Sequence, residues 1–229
     1  MKYILGVIPA RGGSKRLPRK NIKLLDGKPL IEYTIRAAND AQLLTDYVFT
    51  TDDQEILDIA KGVGARSVVL RPKELATDHV RNSETMIHAL ECMEKTTGRS
   101  YQSVMLLQPT TPFRTSLHID EAVELYNDMD VESLASVKGP FKKRDINLKY
   151  LKNNLLTDMI PANNEYYMYN AAIYIIKKEL LYNTNSFVSE FQCGYPMDQI
   201  SSIDIDNEFD FVLAQAAAQY LKGKKCLPK

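Results

Sequence analysis

The sequence predicts an α/β domain: a mainly parallel sheet with helices on both faces. Two patterns carry this reading. Short β-rich apolar runs alternate with helix-length segments through the first two thirds of the chain, the rhythm of βαβα units. One of those runs, Ser103-Val104-Met105-Leu106-Leu107, is apolar throughout, as a strand covered on both faces must be. A length of 229 residues with 45% hydrophobic content is enough to bury a sizeable core as a single domain over residues 1–229.

The elements follow in order. Residues 3–8 read as the first strand, a Gly-rich loop covers 10–21, and a helix begins near Pro29. Tyr47-Val48-Phe49-Thr50 is a second strand. It runs into Thr51-Asp52-Asp53, an N-cap cluster for a helix from about Gln54. Ser67 to Leu70 is a third strand, and 83–95 a helix with Met86, Leu90 and Met93 at helical spacing. After the strand at 103–107 the rhythm breaks between about 138 and 169. Lys138-Gly139-Pro140 opens a stretch rich in Lys, Asn and Tyr, and short β-like pieces (146–151, 166–169) predict an inserted hairpin, an arm for another subunit or a solvated loop. A strand over 171–176 and a last helix over 209–221 complete the chain.

Lys+Arg and Asp+Glu both number 29, so no global charge draws the chain to nucleic acid or to an anionic membrane. No basic helix with interleaved aromatics appears. Cys92, Cys193 and Cys226 form no CxxC pair, which argues against both a zinc site and a disulfide framework. The apolar run at 3–8 is too short for a signal-peptide core, and no stretch is long enough to span a bilayer. A cytoplasmic protein is expected.

In parallel sheets ligands sit at the carboxyl ends of strands, and the segment after the first strand is the richest in chemistry. Ala10-Arg11-Gly12-Gly13-Ser14-Lys15-Arg16-Leu17-Pro18-Arg19-Lys20-Asn21 places five cations in ten positions beside two glycines. The glycines let backbone N–H groups approach a ligand, and the cations match the charge of a triphosphate. The segment is neither GxGxxG nor GxxxxGK[ST], which disfavours the dinucleotide fold and the P-loop. A solvated basic turn is the plainer alternative; its position behind a buried strand weighs against that.

Ile8 to Asn21, continued by Lys28-Pro29-Leu30-Ile31, resembles the nucleotide-binding signature of the acylneuraminate cytidylyltransferases, the CMP-sialic acid synthetases. Four more segments resemble that family in the same order: Arg71-Pro72 with Glu74 to Asp78, Leu106 to Arg114, Asn170 to Ile175 with one Gly replaced, and Ser202 to Asp206. The resemblance implies a Rossmann-like fold of the nucleotide-diphospho-sugar transferase type, with a small dimerisation insert at 138–169, a cytosolic homodimer and Mg²⁺ dependence. It further implies that Arg11, Lys20 and Asn21 hold the triphosphate and that Ala10, Gly12, Gly13 and Ser14 belong to the same nucleotide-binding loop. Arg71 and Ser83 would fix the nucleotide, and Asp204 and Asp206 bind the metal. On the sugar side it points to Tyr174 and Phe187, and to Lys142 (or Lys143), whose counterpart reaches the partner subunit's site; Gln108, just past a buried strand, stands where a substrate amide or hydroxyl could meet it.

The acidic pair also has a reading of its own. In an extended chain residues two apart share a face, so Asp204 and Asp206 present two carboxylates together while Ile203 and Ile205 face inward. Hard paired oxygens suit Mg²⁺. Capping of the last helix by Asp206 or Asn207 is the alternative, less favoured with a phosphate loop in the same chain. The implied reaction is attack by the anomeric hydroxyl of a 2-keto acid sugar on the α-phosphorus of CTP, expelling pyrophosphate, with Arg11, Lys20, Asp204 and Asp206 as the catalytic set. The stretch Ile160 to Met168 lacks the Arg-Gln pair frequent in sialic acid members, which keeps legionaminic and pseudaminic acids open beside N-acetylneuraminic acid as the acidic nine-carbon substrate. A Kdo or other sugar nucleotidyltransferase of the same fold, or an idle nucleotide-binding homologue, is the rival expectation.

Overall fold

The first strand, β1 (Ile4–Pro9), is buried along nearly its whole length because it alternates between two cores: Ile4 and Ile8 face one, Leu5 and Val7 the other. The structure is a computed structural model that describes residues 3–141, 149–152, 155–158 and 165–225. After β1 the basic loop leads through a 3₁₀ turn (Lys20–Ile22) into a two-stranded ribbon, β2 (Leu24–Leu25) and β3 (Lys28–Pro29). The chain continues through α1 (Leu30–Asp40), β4 (Asp46–Thr51), α2 (Gln54–Gly62), β5 (Val68–Leu70), α3 (Asn82–Thr97), β6 (Ser103–Leu107) and α4 (Ser116–Asp128). There follow β7 (Ser133–Phe141), the hairpin β8 (Lys149–Lys152) and β9 (Leu155–Asp158), β10 (Tyr166–Lys177), α5 (Lys178–Thr184), β11 (Gln192–Met197) and α6 (Glu208–Lys225).

The main sheet has seven strands in the order β11-β7-β10-β6-β1-β4-β5. Only β10 runs against its neighbours; the other pairings are parallel. One face is covered by α1, α2 and α4, the opposite face by α3 and α5, and α6 closes a third cluster with Leu17, Leu25, Phe113 and Ile205. Each fully buried Ile or Leu in these clusters contributes about 1.5–3 kcal/mol.

The order reverses at β1: β4 and β5 lie to one side, β6 to the other. The loops after β1 and β6 therefore leave the sheet side by side, at a topological switch point where a crevice opens. Residues 198–207 pass over the same edge, where the Ile205 N–H donates to the Thr110 carbonyl (2.8 Å).

The expected insert has different bounds. Residues 138–141 and 166–169 belong to β7 and β10 and pair within the main sheet. Gly139-Pro140 reads as loop punctuation, but the strand continues because β10 and β11 flank it. The two β pieces expected at 166–169 and 171–176 are one strand, interrupted by an irregularity where Ala171 takes φ 62° and the register with β7 shifts. Within the described part of the excursion lies the β8–β9 hairpin. No described helix is long and apolar enough to cross a membrane.

Candidate active site

The loop after β1 turns because of two constraints. Gly12 lies so close to Asp53 that an added Cβ would come within 2.6 Å of a carboxylate oxygen, so no larger residue fits without displacing the loop. Arg19 adopts a left-handed conformation (φ 55°) that sends its guanidinium to Asp53 (2.6 Å) and Glu55 (2.5 Å) at the start of α2. Asn21, buried, ties the loop to itself by donating to the Arg11 carbonyl (2.9 Å).

Between this loop, the end of β6 and residues 204–206 lies a cleft of about 400 Å³ whose lining includes Arg11, Ser14, Lys20, Asn21, Arg71, Gln108 and Asp206. Ala10 is the buried root of the loop, donating to the Thr50 carbonyl (2.9 Å). The Gly12 N–H is taken by Asp52 (3.1 Å), so it is not the free phosphate donor that the glycine pattern suggests; around Gly13 the space is open.

All five basic side chains of the loop are already paired. Asp78 accepts from Arg11 (2.8 Å) and from Lys15, whose hydrogen bonds hold its carboxyl below the usual range. Asp206 accepts from Arg16 (3.0 Å) and lies 3.5 Å from Lys20. Lys20 also donates to the Ile205 carbonyl (2.7 Å); burial pushes its pKa down, against the pull of Asp206 and Asp204. A phosphate ligand must exchange these carboxylates for its own oxygens.

Asp204 and Asp206 flank the buried Ile205. The segment joins no strand, and its two carboxylates do not share one opening as the two-residue spacing suggests. Asp206 faces the cleft; Asp204 faces a neighbouring cavity of about 860 Å³ bordered by Lys138, Tyr169, Asn170, Ser202 and Tyr220. Burial raises the Asp204 pKa, opposed by a hydrogen bond from the Thr110 hydroxyl, and its Oδ1 is buried with no partner. An orphaned carboxylate oxygen one residue from a second carboxylate fits a divalent cation that takes its remaining ligands from phosphate and water. Among the described residues no cluster of three or more acidic, His or Cys side chains offers a fuller cage.

Arg71 is 5% exposed at the cleft wall, donating to the Thr50 carbonyl (3.2 Å) while its Nε has no partner; burial lowers its pKa. Ser83 is buried and does not line the cleft: it donates to the Asn185 carbonyl (3.1 Å), whereas its neighbour Asn82, the first residue of α3, reaches the cleft. Tyr174 and Phe187 pack on each other (5.9 Å between centroids) on the α3 face of the sheet and line neither cavity. Tyr169 links them to the larger cavity, 6.1 Å from Tyr174. Lys142 lies outside the described residues.

Sequence reasoning missed Asp78, Thr110 and Arg114, although all three stand inside quoted segments. Pairing across 67 residues (Arg11 with Asp78) leaves no local signal.

Comparison with known proteins adds three findings. Residues 5–217 match the family model described as cytidylyltransferase. An N-acylneuraminate cytidylyltransferase of Escherichia coli is 38% identical over 97% of this chain and 54% of its own length, so this chain spans about half of that relative. A CMP-N,N'-diacetyllegionaminic acid synthase of Legionella pneumophila is 39% identical over 93% of this chain and 94% of its own length. Among solved structures, a CMP:2-keto-3-deoxy-manno-octonic acid synthetase complexed with CTP superposes with a TM-score of 0.71 at 15% identity, covering 97% of this chain and all of that one. At that identity it speaks for the fold.

Proposed function

This chain belongs to the cytidylyltransferase family, and on that premise we propose that it transfers CMP from CTP to the anomeric hydroxyl of a nonulosonic acid, releasing pyrophosphate. The observation that carries the reading is the place of Lys20, bonded to Ile205 between the two carboxylates and rooted in the basic loop. Lys20 thereby stands at the seam between the basic cleft that Asp206 lines and the larger cavity that Asp204 lines, which supports the reading.

In this reading Arg11, Lys15, Arg16 and Lys20 leave Asp78 and Asp206 for the triphosphate. The loop from Ala10 to Ser14, with Asn21, Arg71 and the region of Ser83, fixes the nucleotide. The anomeric oxygen forms a bond to the α-phosphorus, the bond to the bridging oxygen breaks, and the hydroxyl proton leaves to solvent. Positioning and charge neutralisation do most of the work in such a transfer, and Lys20 and Arg11 stabilise the departing pyrophosphate. Asp204 and Asp206 would hold Mg²⁺, which when bound supplies positive charge beside the phosphates.

The acid enters beside Asp204, where Lys138 offers a cation for its carboxylate in the larger cavity. Gln108 would meet the acid from the cleft, and Tyr174 and Phe187 would act on it only by backing Tyr169, which lines the larger cavity. The relatives named for N-acylneuraminate and N,N'-diacetyllegionaminic acid favour a nine-carbon substrate. We infer a homodimer from the exposed apolar residues Tyr167 and Met168 on β10 and Val212 and Leu213 on α6. A cytosolic location accords with the free thiols of Cys92 and Cys193. The product would feed synthesis of a cell-surface polysaccharide.

The test is pyrophosphate release from CTP and Mg²⁺ with N-acetylneuraminic, legionaminic, pseudaminic and eight-carbon Kdo acids, with ATP, GTP and UTP as controls. Release confined to CTP and a nine-carbon acid, lost in Asp206→Ala, is expected. A preference for Kdo, or for another nucleotide, would refute the reading.

A further inference from the structure

Arg114 is 2% exposed, and its described hydrogen-bond acceptors are carbonyls and hydroxyls rather than carboxylates; burial pushes its pKa down to about 9, still cationic at neutral pH. A buried charge without an acid is costly and is retained only where its hydrogen bonds do something that apolar packing cannot. Its guanidinium joins three elements. Nη1 donates to the carbonyls of Gln108 (3.1 Å) and Ala172 (2.8 Å) and to the Thr111 hydroxyl (2.9 Å), and Nη2 donates to the Thr34 hydroxyl (2.6 Å). Thr34 belongs to α1, Ala172 to β10, and Gln108 and Thr111 to the turn after β6.

That turn in turn carries the acidic segment. The Thr110 carbonyl accepts from the Ile205 N–H, between Asp204 and Asp206, and the Ile205 carbonyl accepts from Lys20. Ile205 is fully buried in the cluster that includes Phe113. The path from Arg114 to the two carboxylates is thus continuous, and each link is a single hydrogen bond or a packed side chain.

We propose that Arg114 is a positioning residue: it locks the Gln108–Thr111 turn so that Asp204 and Asp206 meet the basic loop in the arrangement that takes a divalent cation together with a nucleotide triphosphate. The metal reading of the two carboxylates is its premise; the CMP-transfer reading enters only through its kinetic consequence. The planar fork of arginine is needed, because one lysine ammonium cannot reach the turn, β10 and α1 together.

The decisive quantity is the ratio of the CTP dissociation constant in EDTA to that in saturating Mg²⁺, measured by calorimetry on the whole chain. Arg114→Met abolishes four hydrogen bonds and is expected to compromise folding. Arg114→Lys keeps the charge, and Thr34→Val removes only the contact to α1. The ratio is expected to fall about tenfold in Arg114→Lys and about threefold in Thr34→Val. The metal-free constant should stay within twofold, because the basic loop is untouched. In the pyrophosphate assay, which is run in Mg²⁺, KM for CTP rises in parallel with the metal-bound dissociation constant, a change that a merely less stable fold would not confine to the metal-bound nucleotide. A wild-type ratio in a folded Arg114→Lys protein, an equal loss with and without metal, or no metal preference in the wild type would each overturn the proposal. If the binding ratios follow the expectation while no acid is turned over, the activity reading fails and this one stands.

Discussion

Asp78 is a carboxylate standing where a ligand's anionic oxygens would have to go. It neutralises Arg11 and Lys15 before any phosphate arrives. Asp78→Asn should therefore tighten metal-free binding of pyrophosphate several-fold, with a steeper salt dependence, in a fluorescence or calorimetric titration. Weaker binding would mean that Asp78 serves the ligand rather than competing with it. Ala171 illustrates residue-scale strain of a different kind. With φ at 62° its Cβ crowds the backbone, in the position where glycine costs nothing. Ala171→Gly should stabilise the fold by about 0.5–1 kcal/mol in denaturant melts, the relief of strain exceeding glycine's greater unfolded-state freedom.

At the scale of elements, the start of α2 joins the helix to the basic loop. Asp53 caps it by accepting from the Ile56 N–H (3.1 Å) and also accepts from Arg19. Burial alone would raise its pKa; the Ile56 N–H and Arg19 outweigh burial and hold it below the ordinary carboxylate value. A depressed folded pKa contributes stability that is present above the unfolded pKa and is lost as pH falls through the folded one. Asp53→Asn, which keeps a capping oxygen, should thus cost a constant amount near neutral pH. The gap to wild type should close below about pH 4. Asp53→Ala should cost about 1 kcal/mol more, the value of the cap.

This cap was legible, because Thr51-Asp52-Asp53 is a local signal. The strands at 46–51 and 103–107 were legible for the same reason, as was the helix over 82–97. The helix α4 was equally readable and went unread, though Thr115 caps it and Ile119, Ala122, Val123 and Tyr126 form its apolar stripe. By contrast, β7 hides behind Gly139-Pro140, and only its neighbours make it a strand. In the site, the loop from Ala10 to Asn21 and the Asp204–Asp206 pair announced themselves by charge density and spacing. The partners that complete them come from distant parts of the chain, so Asp78 and Arg114 acquire their roles only once the chain is folded.

For the molecule as a whole, exposed Tyr169 of β10 and Leu213 and Tyr220 of α6 line the larger cavity, so the proposed dimer surface would reach the proposed sugar side of the site. Sedimentation should give twice the 26.0 kDa of one chain at micromolar concentration, and Met168→Arg with Leu213→Arg should yield monomers. A monomeric wild type would remove the dimer from the account. The central claim, that the anomeric oxygen of a nine-carbon acid displaces pyrophosphate from CTP, is tested most directly by mass spectrometry of the products formed from an acid labelled with ¹⁸O at that hydroxyl. The account predicts a CMP-linked acid that retains the label and unlabelled pyrophosphate; label in the pyrophosphate, or cleavage that yields CDP instead, would contradict it.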